Sequence, residues 1–292
     1  MDLGNSAIAY EPLIRLGSFL LVFVAIAAWE MLSPRRRSLL GRRPRWIHNL
    51  GLLLVDIAVL RIFVPGAAVA LALIGEARGW GLINTLSLPV WAAVPLTVAL
   101  LDLVIYFQHV MFHAVPTLWR LHRVHHTDLD FDVTTATRFH PIEIIISTGI
   151  KCAAVVAIGA PAVAVLVFEV LLSATAMFNH ANAHLPQPLD RLLRWLIVTP
   201  DMHRVHHSIV YNETNSNFAF NLAWWDRLFG TYRAQPAAGH ESMTIGVDAF
   251  RSVEDQRLDR LLMQPLRETP GGYAINRRPE SGTRDTRGAN RA

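Results

Sequence analysis

The chain of 292 residues is 52% hydrophobic and only 17% charged, with a formal net charge of +4. Soluble domains carry about 25% charged residues, so this composition excludes an ordinary soluble globular protein and fits a chain that crosses a membrane several times. Cys152 is the sole cysteine, which excludes disulfide frameworks, cysteine zinc sites and iron–sulfur clusters.

The first apolar stretch, Leu13 to Leu32, is long enough to cross a hydrocarbon core about 30 Å thick at about 1.5 Å per residue. Six arginines follow within eleven residues, from Arg35 to Arg45. A patch of this kind can bind nucleic acid, but between two apolar stretches the positive-inside rule favours a cytoplasmic loop. We therefore predict a membrane partner and no nucleic acid.

The second apolar stretch, Asn49 to Ile74, contains Asp56, Arg61 and Pro65, so it predicts an imperfect span that is broken near the proline. A third span from about Leu86 to Gln108 then returns to the cytoplasmic side. Residues 142–178 are again apolar, but Gly159-Ala160-Pro161 interrupts them, which indicates a helical hairpin whose two ends lie on the same side.

The predicted fold class is therefore all-α, a polytopic helical membrane protein with about three spans, a hairpin and a cytoplasmic histidine-rich cap. We divide it into N-terminal spans with the arginine-rich loop (1–84), a catalytic domain (85–266) and a disordered tail (267–292) that is rich in Gly, Pro, Arg, Ser and Thr. Lys151 is the only lysine among 27 basic residues, a skew typical of GC-rich bacterial genomes. We expect a bacterial inner-membrane protein with its histidines and C-terminus in the cytoplasm.

Of the 13 histidines, only His48 and His240 lie outside residues 109–207. Ten of them form two HxxxH pairs and two copies of the pentapeptide HRVHH, spaced so that each set shares one face of a helix. The predicted ligands fall into two half-sites, His109, His113, His122, His125 and His126 in one and His180, His184, His203, His206 and His207 in the other.

Ten imidazoles exceed what one metal ion binds, so the count predicts two ions, and nitrogen ligands favour iron, copper, zinc or nickel. No Glu-x-x-His motif of a ferritin-like di-iron site and no zincin His-Glu-x-x-His motif occurs in the chain.

The histidine clusters and their surroundings resemble the membrane-bound fatty acid hydroxylase superfamily, and within it the sterol desaturase branch. The resemblance extends over roughly residues 86–266 and rests on four segments: Trp119 to His126, Thr134 to Glu143, Val198 to His207 and Trp225 to Tyr232. It implies a non-haem di-iron oxidoreductase that uses dioxygen and external electrons to hydroxylate or desaturate a lipid. The implied cofactors are two iron ions, with zinc as a possible substitute in purified protein. The implied partners are a bilayer lipid and a ferredoxin- or cytochrome-type reductase system.

Several other residues are candidates for supporting roles. Asp102 and Tyr106 lie on the helical face of His109, where a carboxylate can orient a ligating histidine, although Asp102 is equally compatible with an interfacial acid. His140 and Glu143 resemble the His-Pro-x-Glu element of the family, and the resemblance leaves open whether His184 or Asn182 serves the metal site. The aromatic residues near the end of the catalytic domain either line a substrate entrance or form an interfacial belt: Trp224, Trp225, Phe229 and Tyr232.

Two other functions fit the histidines. A zinc-dependent lipid hydrolase would need a carboxylate near the metals as general base, for which Glu143 is the candidate. A metal transporter would need its ligands near the middle of the membrane rather than at the ends of spans.

Overall fold

The computed structural model describes residues 7–64, 66–268 and 275, and within them the chain is helical, with three isolated β-bridges and no strand. Eight helices form the first part: α1 (Glu11–Leu32), α2 (Arg42–Phe63), α3 (Ala67–Arg78), α4 (Leu82–Leu86), α5 (Val90–Ala114), α6 (Pro116–His126), α7 (Pro141–Ile158) and α8 (Ala162–Asn179). Six short helices follow: α9 (Gln187–Leu193), α10 (Pro200–His206), α11 (Tyr211–Thr214), α12 (Trp224–Leu228), α13 (Gly239–Ser242) and α14 (Leu258–Met263). Of the predicted tail, all but residues 267, 268 and 275 lies outside the described residues.

In the part of the chain that the structure describes, five helical segments are long and apolar enough to cross a membrane: Glu11–Leu32, Arg42–Leu86, Val90–Ala114, Pro141–Ile158 and Ala162–Asn179. Large apolar side chains on their outer faces are exposed, such as Leu21 and Leu32 on α1 and Ile62 on α2. A protein surface of this kind requires a hydrocarbon environment. The predicted fold class, an all-α polytopic membrane protein, is confirmed.

The predicted interruption of the second span is present, because α2 ends at Phe63 and α3 begins at Ala67 after the left-handed Gly66. The start of this span differs from the prediction. Helix α2 begins at Arg42, so Arg42, Arg43 and Arg45 belong to its first turn and not to the preceding loop. Arginine has a high helix propensity, and the apolar pattern alone could not locate this end of the helix. Helix α3 has 12 residues, about 18 Å, which is too short to cross the membrane by itself.

Helices α7 and α8 form the predicted hairpin, with the turn at Gly159 to Pro161. Helix α3 packs against both, and the segment that follows it reaches the tip of the hairpin. There the backbones of Gly81 and Gly159 touch: a Cβ atom on Gly81 would lie 2.2 Å from the Gly159 nitrogen. Both residues have positive φ, +84° and +70°, so only glycine fits the space and adopts the backbone conformation at this contact without strain.

The histidine-bearing ends of the helices lie beside the arginine-rich segment, residues 35–45. Arg45, buried in the first turn of α2, makes a two-pronged ion pair with Asp128, with both N–O distances 2.7 Å. The Arg35 side chain donates to Asp201 in the first turn of α10, and the Arg35 backbone N–H donates to the Asn182 carbonyl after α8. The arginine-rich segment and the histidine-rich cap therefore lie on the same side of the helices.

Candidate metal centre

Nine buried histidines converge at the junction of the helices and the cap. They form two groups in which the candidate ligand atoms lie within 4.8 Å of one another. We call them group A (His109, His113, His122, His126 and His206) and group B (His125, His180, His203 and His207). All nine are at most 3% exposed.

The division into groups corrects the predicted half-sites. Each HRVHH segment supplies both groups: its first and fifth residues go to one group, and its fourth goes to the other. His122 and His126 join group A while His125 joins group B; His203 and His207 join group B while His206 joins group A. In a helix with 3.6 residues per turn, residues four apart are about 40° apart, but the intervening one lies about 60° to the other side. The three histidines of a pentapeptide therefore do not share one narrow face.

His184 is the one predicted ligand that the structure places outside both groups. Helix α8 ends at Asn179, so the HxxxH spacing of His180 and His184 falls on non-helical backbone and no longer puts both rings on one face. The His184 side chain is exposed, and its backbone N–H donates to the Ser33 carbonyl. Asn182 does not replace it, because its amide exchanges two hydrogen bonds with the backbone of Arg36.

The Nε2 atoms within each group lie at the spacing expected of ligands to one ion. His109 and His122 are 3.1 Å apart at Nε2, and His113 and His126 are 3.2 Å apart. In group B the Nε2 atom of His180 is 3.1 Å from those of both His125 and His203. Two nitrogens that each lie about 2.1 Å from a metal and at right angles to each other are about 3.0 Å apart.

Acceptors on the outer side of the rings set the orientation of five histidines. The Nδ1 atoms face the following acceptors: Phe218 O for His109 (2.8 Å), Asn215 Oδ1 for His113 (3.2 Å), Glu143 Oε1 for His122 (2.6 Å), Ala176 O for His180 (2.7 Å) and Ser216 O for His206 (2.7 Å). An Nδ1–H that donates outward leaves the Nε2 lone pair facing the group, which is the tautomer that binds metal.

The charge state of the cap histidines also suits a metal. Burial lowers the pKa of both His122 and His180 to about 3, so both rings are neutral at pH 7. The Nε2 atom of His206 and both ring nitrogens of His207 are buried without a hydrogen-bond partner in the described part of the chain. Because an unpartnered buried nitrogen is costly, these atoms fit ligands of a transition metal.

Glu143 and Asp102 lie at different distances from the histidines. The Glu143 carboxylate contacts His122 directly. Asp102 instead accepts the backbone N–H groups of Asn221 and Leu222 and the Trp225 indole N–H. It therefore holds the loop whose Phe218 carbonyl accepts from His109, and it does not touch a histidine of either group.

Tyr106 and His140 have structural contacts rather than contacts with group A or B. The Tyr106 hydroxyl bonds the Thr231 hydroxyl, and its ring stacks on Phe229. His140 is the N-cap of α7: its Nδ1 accepts from the Ile142 N–H, while Nε2 lies 3.1 Å from the Leu262 carbonyl. His140 therefore fixes the start of helix α7, and Glu143 lies in the first turn of that helix.

The four aromatic residues predicted for a substrate entrance separate into two pairs. Trp225 and Tyr232 pack beside a buried cluster that includes Met202 and Phe218. Trp224 and Phe229 are 48% and 43% exposed. Only the second pair has the surface exposure that an entrance or an interfacial belt requires.

Several groups that shape the site could not be recognised from residue type or spacing. Three of the outer acceptors are backbone carbonyls, at Ala176, Ser216 and Phe218, and any residue type provides such a group. Phe139 stacks on His125 with ring centroids 4.6 Å apart, and Phe131 lies against His180 and His207. The Phe139 position next to His140 was visible in the sequence, but its contact with a distant histidine was not.

Comparison with known proteins identifies relatives over the histidine-bearing region. Residues 94–231, which contain all nine grouped histidines, match the family model described as fatty acid hydroxylase. No solved structure matches the chain.

Three curated relatives illustrate the range of this match. Ornithine lipid hydroxylase OlsE of Rhizobium tropici is 31% identical over 144 residues, which cover 49% of this chain and 42% of the relative. Human alkylglycerol monooxygenase is 29% identical over 155 residues (52% and 33%), and human cholesterol 25-hydroxylase is 28% identical over 138 residues (46% and 48%). The chain thus matches between a third and a half of the length of these relatives.

Proposed function

Because the chain belongs to the membrane-bound fatty acid hydroxylase superfamily, we propose that it is a membrane enzyme that oxidises a C–H bond of a lipid, by hydroxylation or desaturation. The names of the relatives, a hydroxylase of ornithine lipid, a monooxygenase of alkylglycerol and a hydroxylase of cholesterol, favour hydroxylation. The observation that carries the proposal is the pair of buried histidine groups at the ends of membrane-length helices.

The proposed cofactor is a pair of iron ions, one held by group A and one by group B. Bound there, the two irons would supply the activation of dioxygen and the attack on the C–H bond, with electrons from an external donor of the ferredoxin or cytochrome type. The protein's own contribution is to keep nine imidazoles neutral and to exclude water, since all nine are buried. The acceptors on Nδ1 hold the rings so that binding requires little rearrangement.

The position of Glu143 argues against the alternative of a zinc hydrolase. Its carboxylate lies on the Nδ1 side of His122, whereas the Nε2 atom of that ring faces His109. A general base must reach the water on the metal, which lies on the opposite side of the ring. The histidines also sit at helix ends and in the cap, which does not favour a transporter site at the membrane midplane.

We further propose that the cap and the C-terminus face the cytoplasm of a bacterial inner membrane. The arginine-rich segment beside the cap supports this orientation through the positive-inside rule. A reporter enzyme that is active only in the periplasm should be inactive when it is fused to the C-terminus. An active fusion would contradict this orientation.

The first experiment is metal analysis of detergent-purified protein from iron-replete cells. We expect about two irons per chain in the unaltered protein and in His184→Ala, because the His184 side chain lies outside both groups. His113→Ala and His203→Ala should each lose iron, from group A and group B respectively. The His184 variant is the matched control, since it removes the same side chain.

Zinc alone in place of iron, with lipid-cleaving activity in the absence of oxygen, would move the assignment to the hydrolase. Loss of metal from His184→Ala equal to that from His113→Ala would contradict the two groups as we describe them. With iron present, lipid profiles of cells with and without the protein should differ by a product one oxygen heavier or two hydrogens lighter, and unchanged profiles would contradict lipid oxidation.

A further inference from the structure

A cavity of about 380 Å³ lies between the end of α1 and the start of α2, beside the cap. Four arginines line it: Arg36, Arg37, Arg42 and Arg45. Phe131 forms part of the wall, and the ring of Phe131 also packs against His180 and His207 of group B. Phe131 thus contacts both this cavity and group B.

The acidic residues of the cavity wall already have donors. Asp130 accepts hydrogen bonds from the Ser38 hydroxyl and from the backbone N–H groups of Leu39 and Leu40. Asp132 pairs with Arg45 and accepts the Trp46 indole N–H. The carboxylates therefore serve to order the loop and to neutralise Arg45.

The other three arginines form no ion pair with a carboxylate of the described residues. Arg36 donates to the carbonyls of His240 and Met243, and Arg42 donates to the carbonyl of Glu30. Arg37 is exposed and makes no hydrogen bond within the described residues. None of the three forms an ion pair with a carboxylate in the described ranges, 7–64, 66–268 and 275, so their positive charges remain available to an anion.

Two further features favour an anion in this cavity. Gly41, which lines it, is the N-cap of the 22-residue helix α2, and no side chain caps this helix end. The free N–H groups and the dipole at such an end attract negative charge. Burial lowers the pKa of Arg36, with Asp130 opposing and Arg35 adding to this effect, so a bound anion would offset the cost of removing this cation from water.

The position of the cavity indicates the source of the anion. It opens where α1 ends and α2 begins, and both helices are candidate membrane spans. The ends of spans lie at the depth of lipid headgroups, where basic pockets bind anionic lipids. We propose that this cavity binds the phosphate of an anionic phospholipid headgroup through Arg36, Arg37 and Arg42.

Lipid retention by the full-length protein tests this assignment. The protein is placed in nanodiscs of phosphatidylcholine and phosphatidylglycerol in equal amounts, and native mass spectrometry counts the lipids that remain on each chain after release. We expect preferential retention of one phosphatidylglycerol. Arg37→Gln should weaken retention about fivefold, the value of one arginine near a membrane surface, and Arg36→Gln should weaken it further because this guanidinium is less exposed.

Arg43→Gln is the matched control, because Arg43 is exposed, lies in the same segment and does not line the cavity. Equal retention by Arg37→Gln and Arg43→Gln, or equal retention of the two lipids by the unaltered protein, would overturn the proposal. Inorganic phosphate that binds in an Arg37-dependent way without any preference for phosphatidylglycerol would assign the cavity to free phosphate and overturn the lipid assignment. Since metal content is measured separately, failure here leaves the proposed iron groups untouched, and failure of the iron groups leaves this site untouched.

Discussion

Glu143 is the one acidic side chain among the described residues that hydrogen-bonds a grouped histidine, with its Oε1 atom 2.6 Å from His122 Nδ1. A carboxylate behind a ligating histidine orients the ring and increases its basicity, and loss of such a partner typically costs 10–100-fold in metal affinity. We predict that Glu143→Gln, which keeps an acceptor but removes the charge, lowers iron affinity roughly tenfold. Iron retained during dialysis against increasing chelator concentrations measures this.

The control for this change is Glu241→Gln, because the Glu241 side chain is 78% exposed and lies away from both groups. It should lose iron at the chelator concentration that strips the unaltered protein. If Glu143→Gln and Glu241→Gln lose iron at the same chelator concentration, the Glu143 carboxylate does not affect metal binding by His122.

His240 predicts a dependence of stability on pH. Burial lowers its pKa to about 4, although Asp201 opposes the shift, whereas the ordinary value is 6.5. Between these values the unfolded chain binds the proton more readily than the folded chain does, so lowering the pH from 7 to 5 reduces the free energy of unfolding. For this single residue we expect a reduction of about 1–2 kcal/mol.

The comparison with His240→Gln isolates this effect, because the other buried histidines titrate in both proteins. The free energies of unfolding of the two proteins, measured by denaturation at each pH, should converge as the pH falls from 7 to 5, since the variant lacks the titrating ring. A constant difference between the two free energies of unfolding over that range would show that His240 protonates as readily in the folded protein as in the unfolded chain.

At the scale of single residues, nine of the ten histidines that the sequence predicts as ligands lie in groups A and B. Their type and spacing are visible in the one-dimensional chain. The outer acceptor of His109 is the carbonyl of Phe218, 109 residues away, and that of His206 is the carbonyl of Ser216, 10 residues away. Contacts of that kind depend on the path of a loop and leave no mark on residue type.

Among the helices, the contact between Gly81 and Gly159 fixes the tip of the hairpin. In Gly159→Ala the new Cβ would lie 2.4 Å from the Trp80 carbonyl oxygen, and φ is +70°. The left-handed conformation alone costs an L-residue roughly 1–2 kcal/mol. We predict that this variant loses at least about 2 kcal/mol in the free energy of unfolding, measured in detergent by circular dichroism.

Gly149 provides the control within α7, because a Cβ there would meet nothing within 4 Å. Gly149→Ala should stabilise the protein by about 0.5–1 kcal/mol, since alanine is the better residue inside a helix. Similar stabilities for the two variants would mean that the hairpin tip is not held by this contact.

Prediction of whole helices succeeded where the apolar pattern was long and failed at its ends. The break after α2 and the turn of the hairpin followed from proline and glycine. The start of α2 at Arg42 did not, because charged residues at such an end are compatible with helix or loop. The last apolar stretch was predicted to end at residue 178, close to the observed end of α8 at Asn179, but the HxxxH spacing of His180 and His184 was interpreted as helical beyond that end. His184 therefore lies outside the two groups.

Across the molecule, Arg45 joins the N-terminal helices to the cap through its buried pairs with Asp128 and Asp132. Removal of one partner of a buried ion pair is destabilising by about 3–5 kcal/mol, because the other charge stays buried. We predict a loss of this size for Arg45→Ala and a partial recovery for Arg45→Lys, which keeps the charge but not the two-pronged geometry. Thermal unfolding in detergent measures both.

Arg43→Ala is the matched control, since Arg43 is exposed in the same helical turn. It should change the free energy of unfolding by less than about 0.5 kcal/mol. A comparable loss in both variants would assign the effect to the general charge of the segment rather than to the buried pairs.

At this scale the sequence predicted the fold class and the meeting of helix ends with histidines, because hydropathy and spacing carry both. It could not predict that Arg45 pairs with an aspartate 83 residues later, or that the two histidine groups exchange members. The first depends on how the start of α2 lies beside the end of α6, and the second on how α6 and α10 face each other.

The exchange of histidines between the two HRVHH segments has a mechanical consequence. His125 reaches across from α6 to group B, and His206 reaches across from α10 to group A. A rotation or shift of either short helix therefore moves ligands of both groups in the same movement. For the two ions proposed here, we expect a movement of either helix to weaken both sites together, so a chelator should remove the two ions over the same range of concentration.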